Sequence, residues 1–124
     1  MTARRRILVV DDEPILVRLL VRMLGTAGHD VVGARDGHEA LELASKDRFD
    51  LIISDVRMPV MDGPSFLAAL RTRHTETPFI FLTGYGDHTD VELKRLGATA
   101  VYGKPIAPQE LKAAVDAHAR AAAT

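Results

Sequence analysis

Short apolar runs that alternate with longer amphipathic segments constrain the fold of this chain more than any other feature. Runs of this length suit buried strands, and the segments between them have helical spacing. Strands that alternate with helices form βα units around a parallel sheet, so we predict an α/β fold. Four of the runs lead into reactive side chains: residues 7–10 into Asp11 and Asp12, 51–54 into Asp55, 79–82 into Thr83, and 100–102 into Lys104.

The carboxyl ends of parallel strands lie at one edge of a sheet, where ligands bind. We therefore expect the three carboxylates, the hydroxyl of Thr83 and the ammonium of Lys104 to converge on one polar pocket. Carboxylates in one cleft raise each other's pKa, so such a cluster is expected where a cation or a proton is shared. Ligands that are all oxygen suit Mg²⁺ or Mn²⁺, whereas Zn²⁺ prefers His or Cys.

The predicted pocket also suits phosphoryl chemistry. An ammonium and a hydroxyl beside a bound metal ion can hold and neutralise a phosphoryl group. A carboxylate in the same pocket can act as the nucleophile and form an aspartyl-phosphate. Asp55 is the best candidate, because it ends the most continuous apolar strand and should lie centrally in the sheet.

Helical periodicity predicts five helices. The first starts near Pro14, a residue suited to a first helical turn, and ends before Gly28. The others are expected at residues 37–46, at 64–73, before Gly97 and at 108–121, while residues 31–32 are predicted to form a short second strand. In the first helix, one apolar face is made of Ile15, Leu16, Leu19, Leu20, Met23 and Leu24. Core packing is expected for Ile15 and Leu16, and docking of another protein stays open as the alternative.

Composition excludes several classes of protein. The chain has 124 residues, a net charge of −1 and no cysteine, which suits one domain without disulfides and gives no general argument for nucleic-acid binding. No apolar run approaches the roughly 18 residues needed to span a bilayer, and the N-terminal run is too short for a signal peptide, so we expect a cytoplasmic protein. The histidines lack metal-ligand spacing and are expected at the surface: His29, His38, His74, His88 and His118.

Four blocks of the sequence resemble the signature blocks of receiver domains, the phosphoacceptor domains of two-component response regulators. They are residues 9–14 (VVDDEP), 54–63 (SDVRMPVMDG), 82–84 (LTG) and 104–105 (KP). Each block is weak alone, but the four in this order and at these separations are specific. The resemblance covers about residues 6–118 of a single domain, residues 1–124, and implies a flavodoxin-like (βα)5 doubly wound parallel sheet with strand order 2-1-3-4-5.

The resemblance assigns roles to the residues that match the family pattern. Asp55 matches the phosphoacceptor, Asp12 the direct ligand of the Mg²⁺ or Mn²⁺ ion, and Asp11 the partner of Asp12. The backbone carbonyl of Arg57 matches the third protein ligand. The phosphoryl donor is implied to be a phosphohistidine of a sensor histidine kinase or of a histidine phosphotransfer protein.

The family pattern also implies a switch. Thr83 matches the hydroxyl that bonds a phosphoryl oxygen, Lys104 matches the ammonium partner, and the Lys104–Pro105 bond is implied to be cis. Phosphorylation would shift a population of two states and change the contacts that the fourth helix, fifth strand and fifth helix make with a downstream protein. We expect no enzymatic activity beyond the domain's own phosphorylation and dephosphorylation, no binding to nucleic acid or membrane, and a monomer or weak dimer.

Two regions depart from the family pattern. The family usually carries Tyr or Phe three residues before the lysine, but Val101 occupies that position and the aromatic is Tyr102, one place later. Strand alternation sends these side chains to opposite faces, so we predict a smaller rearrangement when Thr83 moves, with Tyr102 serving as a strand aromatic. The segment between Thr83 and Gly97 is slightly shorter than usual, which predicts a short or shifted fourth helix.

Arg57 and Tyr85 lie two residues after Asp55 and Thr83, at positions that in this family flank the path of the hydrolytic water. Both side chains are bulky. We therefore predict slow loss of the phosphoryl group, over minutes or longer.

Other functions fit the sequence less well. A receiver-fold interaction module that acts without phosphorylation stays open as an alternative, although it would be expected to lack the acidic pair, Asp55 or Lys104. A haloacid-dehalogenase-like phosphatase would carry a second Asp where Arg57 stands, and dinucleotide binding would require G-x-G-x-x-G after the first strand. The chain is a single-domain regulator or a receiver cut from a longer protein, and the Met1 start and Ala-rich end slightly favour the first.

Overall fold

The computed structural model describes residues 4–74, 76–84 and 90–120, in which five strands alternate with five helices. The strands are β1 (Arg6–Val10), β2 (Asp30–Ala34), β3 (Leu51–Asp55), β4 (Phe79–Thr83) and β5 (Ala100–Gly103). The helices are α1 (Pro14–Thr26), α2 (Gly37–Lys46), α3 (Gly63–Arg71), α4 (Asp90–Arg95) and α5 (Pro108–His118).

The strands form one parallel sheet in the order β2-β1-β3-β4-β5. This confirms the predicted doubly wound, flavodoxin-like order. The order reverses between β1 and β3, and a ligand crevice is expected outside the carboxyl ends of the strands at such a switch point. Asp11 and Asp12 follow β1 and Asp55 ends β3, so the acidic residues lie at that crevice.

The core lies on both faces of the sheet, because helices cover each of them. Alternate side chains of β3 show this division: Ile52 packs with residues of α2 and α3, and Ile53 packs with residues of α1 and α5. Strands buried on both faces become continuous apolar runs in the sequence rather than alternating ones. This explains why the strands were visible as apolar runs. Among the described residues, no helix is both long and apolar enough to cross a membrane.

The predicted apolar face of α1 is only partly buried, and the exposure of Ile15 keeps the alternative of a docking role open. Leu20 and Leu24 are buried, but Ile15 is 76% exposed and Leu19 is 51% exposed. Successive helical residues are rotated by about 100°, so residues 15 and 19 form a stripe beside the one that contains residues 16, 20 and 24. The sheet covers only the second stripe, and the first faces outward near the amino end of the helix.

The prediction of surface histidines is wrong for His29, which is only 8% exposed. Its Nδ1 accepts a hydrogen bond of 3.0 Å from the backbone N–H of Arg5. Burial lowers the pKa of His29, so the neutral ring that this bond requires is favoured. His88 lies outside the described residues.

The described part of α4 spans six residues, Asp90–Arg95. Residues 85–89 lie outside the described residues, so the short or shifted fourth helix stays a prediction. Leu93 is its buried anchor, whereas Val91 is 60% exposed and Leu96, just after the helix, is 43% exposed. Among residues 90–95, Leu93 is thus the side chain that holds α4 to the core.

Candidate functional site

Acidic side chains converge at the carboxyl edge of the sheet. Asp11, Asp12 and Asp55 each place a carboxylate oxygen within 4.8 Å of those of the other two. Asp11 is 2% exposed, the side chain of Asp55 is 11% exposed, and Asp12 is exposed to solvent. The structure therefore brings together the three carboxylates that the strand ends predicted.

Lys104 joins this cluster from the end of β5. Its Nζ lies 3.0 Å from Oδ2 of Asp11 and 3.2 Å from Oδ1 of Asp55. Burial opposes the charged form of Lys104, but hydrogen bonds and charge from Asp11 and Asp55 outweigh it and raise its pKa. A partly buried ammonium thus bridges two carboxylates that would otherwise repel each other.

Backbone N–H groups orient two of the carboxylates. Oδ1 of Asp55 accepts a hydrogen bond of 2.8 Å from Val56 N–H, and Oδ1 of Asp11 accepts one of 3.0 Å from Glu13 N–H. The buried hydroxyl of Ser54 donates to the backbone carbonyl of Asp55 at 2.8 Å. Sequence reasoning treated Ser54 as part of an apolar strand and missed this contact.

Thr83 lies on the strand beside Asp55, one residue beyond the Asp55–Leu82 pair in the β3–β4 register. Its Oγ1 donates a long hydrogen bond of 3.4 Å to the carbonyl of Tyr102, and its own carbonyl accepts from the N–H of Lys104 at 2.8 Å. The Lys104–Pro105 peptide bond is cis. The hydroxyl is held weakly and is therefore available to a stronger acceptor.

Val101 and Tyr102 face opposite sides of the sheet. Val101 packs against the core shared with α2 and α3, whereas Tyr102 packs against the core shared with α1 and α5. The hydroxyl of Tyr102 lies 2.9 Å from Nε2 of His118 at the end of α5. The aromatic ring of β5 is thus anchored to α5 instead of facing the α4 side.

Arg57 and Tyr85 were predicted to flank the site. The side chain of Arg57 is exposed, two residues beyond Asp55. Tyr85 lies outside the described residues, so its position relative to Thr83 stays a prediction.

The loop between β3 and α3 is tightly folded. Met61 N–H donates to the carbonyl of Pro59 at 2.7 Å, and Val60, between them, has φ 69°. A hydrogen bond between residues i and i+2 around a positive φ defines a γ-turn, a rare and strained conformation. The carbonyl of Met61 accepts from Gly37 N–H at 3.0 Å, which ties the loop to the first residue of α2.

We expect Val60→Asn to stabilise the fold. Val60 is β-branched and 82% exposed, so its side chain adds strain at positive φ without compensating burial. Asn tolerates positive φ far better, and the expected gain is about 1 kcal/mol. Urea unfolding measures this gain. The control is Val91→Asn in α4, where Val and Asn have similar helix propensities, so little change is expected; equal stability of Val60→Asn and wild type would contradict the prediction.

The three carboxylates suit a hard divalent cation. They provide oxygen ligands only, and the exposure of Asp12 leaves room for water, which fits the preference of Mg²⁺ for few carboxylates plus water. A cation held here would compete with the Lys104 ammonium for Asp11 and Asp55. The residues present therefore fit Mg²⁺ or Mn²⁺.

We expect Asp55→Asn to raise the melting temperature at neutral pH in metal-free buffer. Burial and then the charge of Asp11 raise the pKa of Asp55, and Lys104 offsets them only in part. A carboxyl whose pKa is raised by folding contributes stability below its unfolded pKa, near 3.9, and loses it as pH rises through the folded pKa. The gain from Asp55→Asn should therefore shrink as pH falls through the raised folded pKa of Asp55 and should be absent below about 4.

Thermal scans with EDTA at neutral and acidic pH measure this difference. A melting temperature for Asp55→Asn below that of wild type at neutral pH would show that the pairing with Lys104 outweighs burial and repulsion.

The fold and the acidic cluster at its switch point agree with the class of signalling domain to which the sequence blocks point. The chain belongs to the response regulator receiver domain family, whose model matches residues 7–116. It is 40% identical over 114 residues to the alkaline phosphatase synthesis transcriptional regulatory protein PhoP of Bacillus subtilis (strain 168), a match that covers 91% of this chain and 48% of that protein.

Solved structures show the same likeness. The chemotaxis protein CheY4 of Vibrio cholerae superposes with a TM-score of 0.83 at 38% identity, covering 91% of this chain and 97% of that one. A response regulator receiver domain protein from Clostridium thermocellum gives a TM-score of 0.86 at 28% identity, with 90% and 91% covered. The chain thus spans about half the length of PhoP but nearly all of CheY4.

Proposed function

We propose that the chain accepts a phosphoryl group on Asp55 in a reaction that depends on Mg²⁺ or Mn²⁺. The observation that carries this proposal is the clustering of Asp11, Asp12 and Asp55 within 4.8 Å, with the Lys104 ammonium 3.2 Å from Asp55. Membership in a family of receiver domains supports it. The donor is a phosphohistidine of a sensor histidine kinase or of a histidine phosphotransfer protein.

The transfer replaces one bond to phosphorus with another. A carboxylate oxygen of Asp55 attacks the phosphorus, the phosphorus–nitrogen bond breaks, and the imidazole nitrogen leaves with the electron pair and takes a proton from water. Asp55 is oriented for this role by the N–H of Val56. A divalent cation held by Asp11, Asp12, Asp55 and the backbone carbonyl of Arg57 would neutralise charge on the phosphoryl oxygens.

Lys104 and Thr83 are the residues that would hold the transferred group. The Lys104 ammonium already contacts Asp55 and can turn to a phosphoryl oxygen attached to it. The Thr83 hydroxyl would exchange its 3.4 Å bond to the Tyr102 carbonyl for a stronger bond to phosphate. This exchange of hydrogen-bond partner by Thr83 is the first step of the proposed switch.

The downstream partner is proposed to bind the face formed by α4, β5 and α5. Val91 and Leu96 expose apolar side chains there. Since Tyr102 is anchored to His118, it is expected to keep its place while Val101 fills space vacated by Thr83. Val101 stands where the family usually carries Tyr or Phe. This difference favours a second candidate, an interaction module that binds partners without phosphorylation.

Intact-mass measurement after incubation with acetyl phosphate distinguishes these candidates. The phosphoacceptor proposal expects a gain of about 80 Da, one phosphoryl group, with Mg²⁺ and none with EDTA. If the mass does not increase with Mg²⁺, either from acetyl phosphate or from a phosphorylated kinase, the phosphoacceptor proposal is wrong and the interaction module is the remaining candidate.

We expect Arg57→Ala and Tyr85→Ala each to speed loss of the phosphoryl group, by about threefold or more, on the order of 0.7 kcal/mol in the barrier. Bulky side chains at these positions would restrict the approach of water to the phosphorus. The decay of the phosphorylated mass after removal of the donor measures the rate. The exposed Arg18 on α1 provides a control, Arg18→Ala, which should leave the rate unchanged; equal decay of all variants would contradict the prediction.

A further inference from the structure

A cavity of about 480 Å³ lies at the amino-terminal edge of the sheet, opposite the acidic cluster. Its walls come from the carboxyl ends of α2 and α3, the loops that lead into β3 and β4, and Arg120, which follows α5. Small-molecule sites occupy roughly 300–1,000 Å³. The cavity is thus large enough for a small organic ligand.

The floor of this cavity is apolar. Ala44, Phe49, Ile52 and Leu70 line it, and each is less than 5% exposed. Such a floor favours an apolar aromatic or aliphatic body, because the apolar area of that body leaves the water when it enters the cavity.

The rim of the cavity carries excess positive charge. An adjoining pocket of about 220 Å³ shares His74, Thr77 and Arg120 with it. Among the residues that the structure describes, two acidic ones line these pockets, and Asp47 is already paired with Arg6, whose Nη2 lies 3.0 Å from its Oδ2. The described charged side chains of both pockets are four cations and two anions: Lys46, Arg48, Arg73 and Arg120, with Asp47 and Glu76.

Arg120 is held in place before any ligand binds. Its Nη2 donates to the carbonyl of Phe49 at 3.0 Å and to Oγ1 of Thr77 at 3.1 Å, and its backbone N–H donates to the carbonyl of Asp50 at 2.9 Å. Its Nε is buried and has no hydrogen-bond partner among residues 4–74, 76–84 and 90–120. A guanidinium that is already ordered loses little freedom when an anion approaches it.

The two pockets have more cationic side chains than are needed to balance the partial negative charge at the ends of the neighbouring helices. The carboxyl ends of α2 and α3 bring partial negative charge to this edge, and each has a basic residue in its last turn, Lys46 and Arg71. Arg48, Arg73 and Arg120 lie beyond those turns. Their charge is therefore available to a ligand.

We propose that this cavity binds a small organic anion, with an apolar body on the floor and a carboxylate, sulfonate or phosphate group beside Arg120 and Arg48. The site lies at the other end of the sheet from Asp55 and does not depend on phosphorylation. It therefore adds a ligand-binding function to the receiver fold.

Fluorescence titration with two dyes tests the proposal. The first, 8-anilinonaphthalene-1-sulfonate, has an aromatic body and one negative charge, and N-phenyl-1-naphthylamine is its uncharged analogue. Arg48→Gln with Arg73→Gln, both exposed, should weaken binding of the sulfonate by about tenfold, or 1.4 kcal/mol, and leave the neutral dye unchanged. The matched control removes the same charge from α1 by Arg18→Gln with Arg22→Gln, both exposed, and should change neither affinity.

A steric variant tests the position of the site. Ser45 is exposed at the wall of the cavity, so Ser45→Trp should block entry and weaken binding of both dyes by about tenfold or more. Amide chemical-shift changes in wild type should cluster on the lining residues. The proposal is overturned if the sulfonate does not bind, if Ser45→Trp leaves its affinity unchanged, or if the two double variants weaken it equally. Unchanged melting temperatures would show that the variants are folded.

Discussion

Asp55→Asn is expected to reduce phosphoryl incorporation from acetyl phosphate by at least ~100-fold, equivalent to about 2.7 kcal/mol in the barrier. The amide lacks the anionic oxygen that attacks phosphorus, while its shape and its hydrogen bond from Val56 N–H are retained. Loss of activity should therefore reflect chemistry and not folding. The predicted higher melting temperature of this variant at neutral pH gives an independent check of its folding.

The matched control is Asp116→Asn, which removes a carboxylate from the exposed side of α5. It should incorporate phosphoryl groups as fast as wild type. In wild type the product should also be lost on treatment with hydroxylamine, which cleaves acyl phosphates. Incorporation into Asp55→Asn at the wild-type rate would show that another residue is the acceptor. Asp11 and Asp12 would be tested first, because they lie beside Asp55.

Gly63→Ala is expected to destabilise the fold by about 3 kcal/mol, and by more if the backbone cannot shift. A Cβ at Gly63 would lie 2.3 Å from the backbone carbonyl oxygen of Asp55 and 2.6 Å from Cε1 of Phe81. The first neighbour is backbone, which has little freedom to yield, and its carbonyl also accepts the hydroxyl of Ser54. Relief of the overlap must move the first residue of α3 away from the last residue of β3.

This displacement would also move the acceptor carboxylate. Gly63→Ala is therefore expected to slow phosphoryl incorporation in the fraction that remains folded. Urea unfolding and intact mass measure the two effects. Gly25→Ala in α1 is the control, because no atom lies within 4 Å of its added Cβ, and it should stabilise the helix by about 0.5–1 kcal/mol. Similar stability of the two variants would show that the start of α3 accommodates the methyl group and would contradict the prediction.

The sheet and its acidic edge were predictable for one physical reason. In a parallel sheet covered by helices on both faces, the central strands must be largely apolar, so β1, β3 and β4 stand out as continuous runs. The residue that ends such a run must lie at the carboxyl edge. The position of Asp55 in the sequence therefore determined its position beside Asp11 in the fold.

Burial on the helices was less predictable. Helical spacing identifies an apolar stripe but not its centre, which is why Ile15 and Leu19 were grouped on one face with the buried Leu20 and Leu24 although they are exposed. The buried ring of His29 accepts a hydrogen bond from the backbone N–H of Arg5, which lies 24 residues earlier in the sequence. Neither outcome has a signal in the local sequence.

By itself, the sequence determined the α/β class, the strand order that the family blocks imply, and the convergence of three aspartates with Lys104, because periodicity and strand ends are local properties of the chain. The tertiary structure alone decided which atoms meet: Lys104 between Asp11 and Asp55, the carbonyl of Asp55 against Gly63, and the γ-turn at Val60. It also decided that Arg120 closes a cavity against Phe49 and Thr77, which lie 71 and 43 residues away along the chain. Such contacts depend on how segments that are distant in sequence pack together, to within about an ångström. Because the interior of a protein is close-packed, the positions of these atoms are set by all of their neighbours and not by the local sequence.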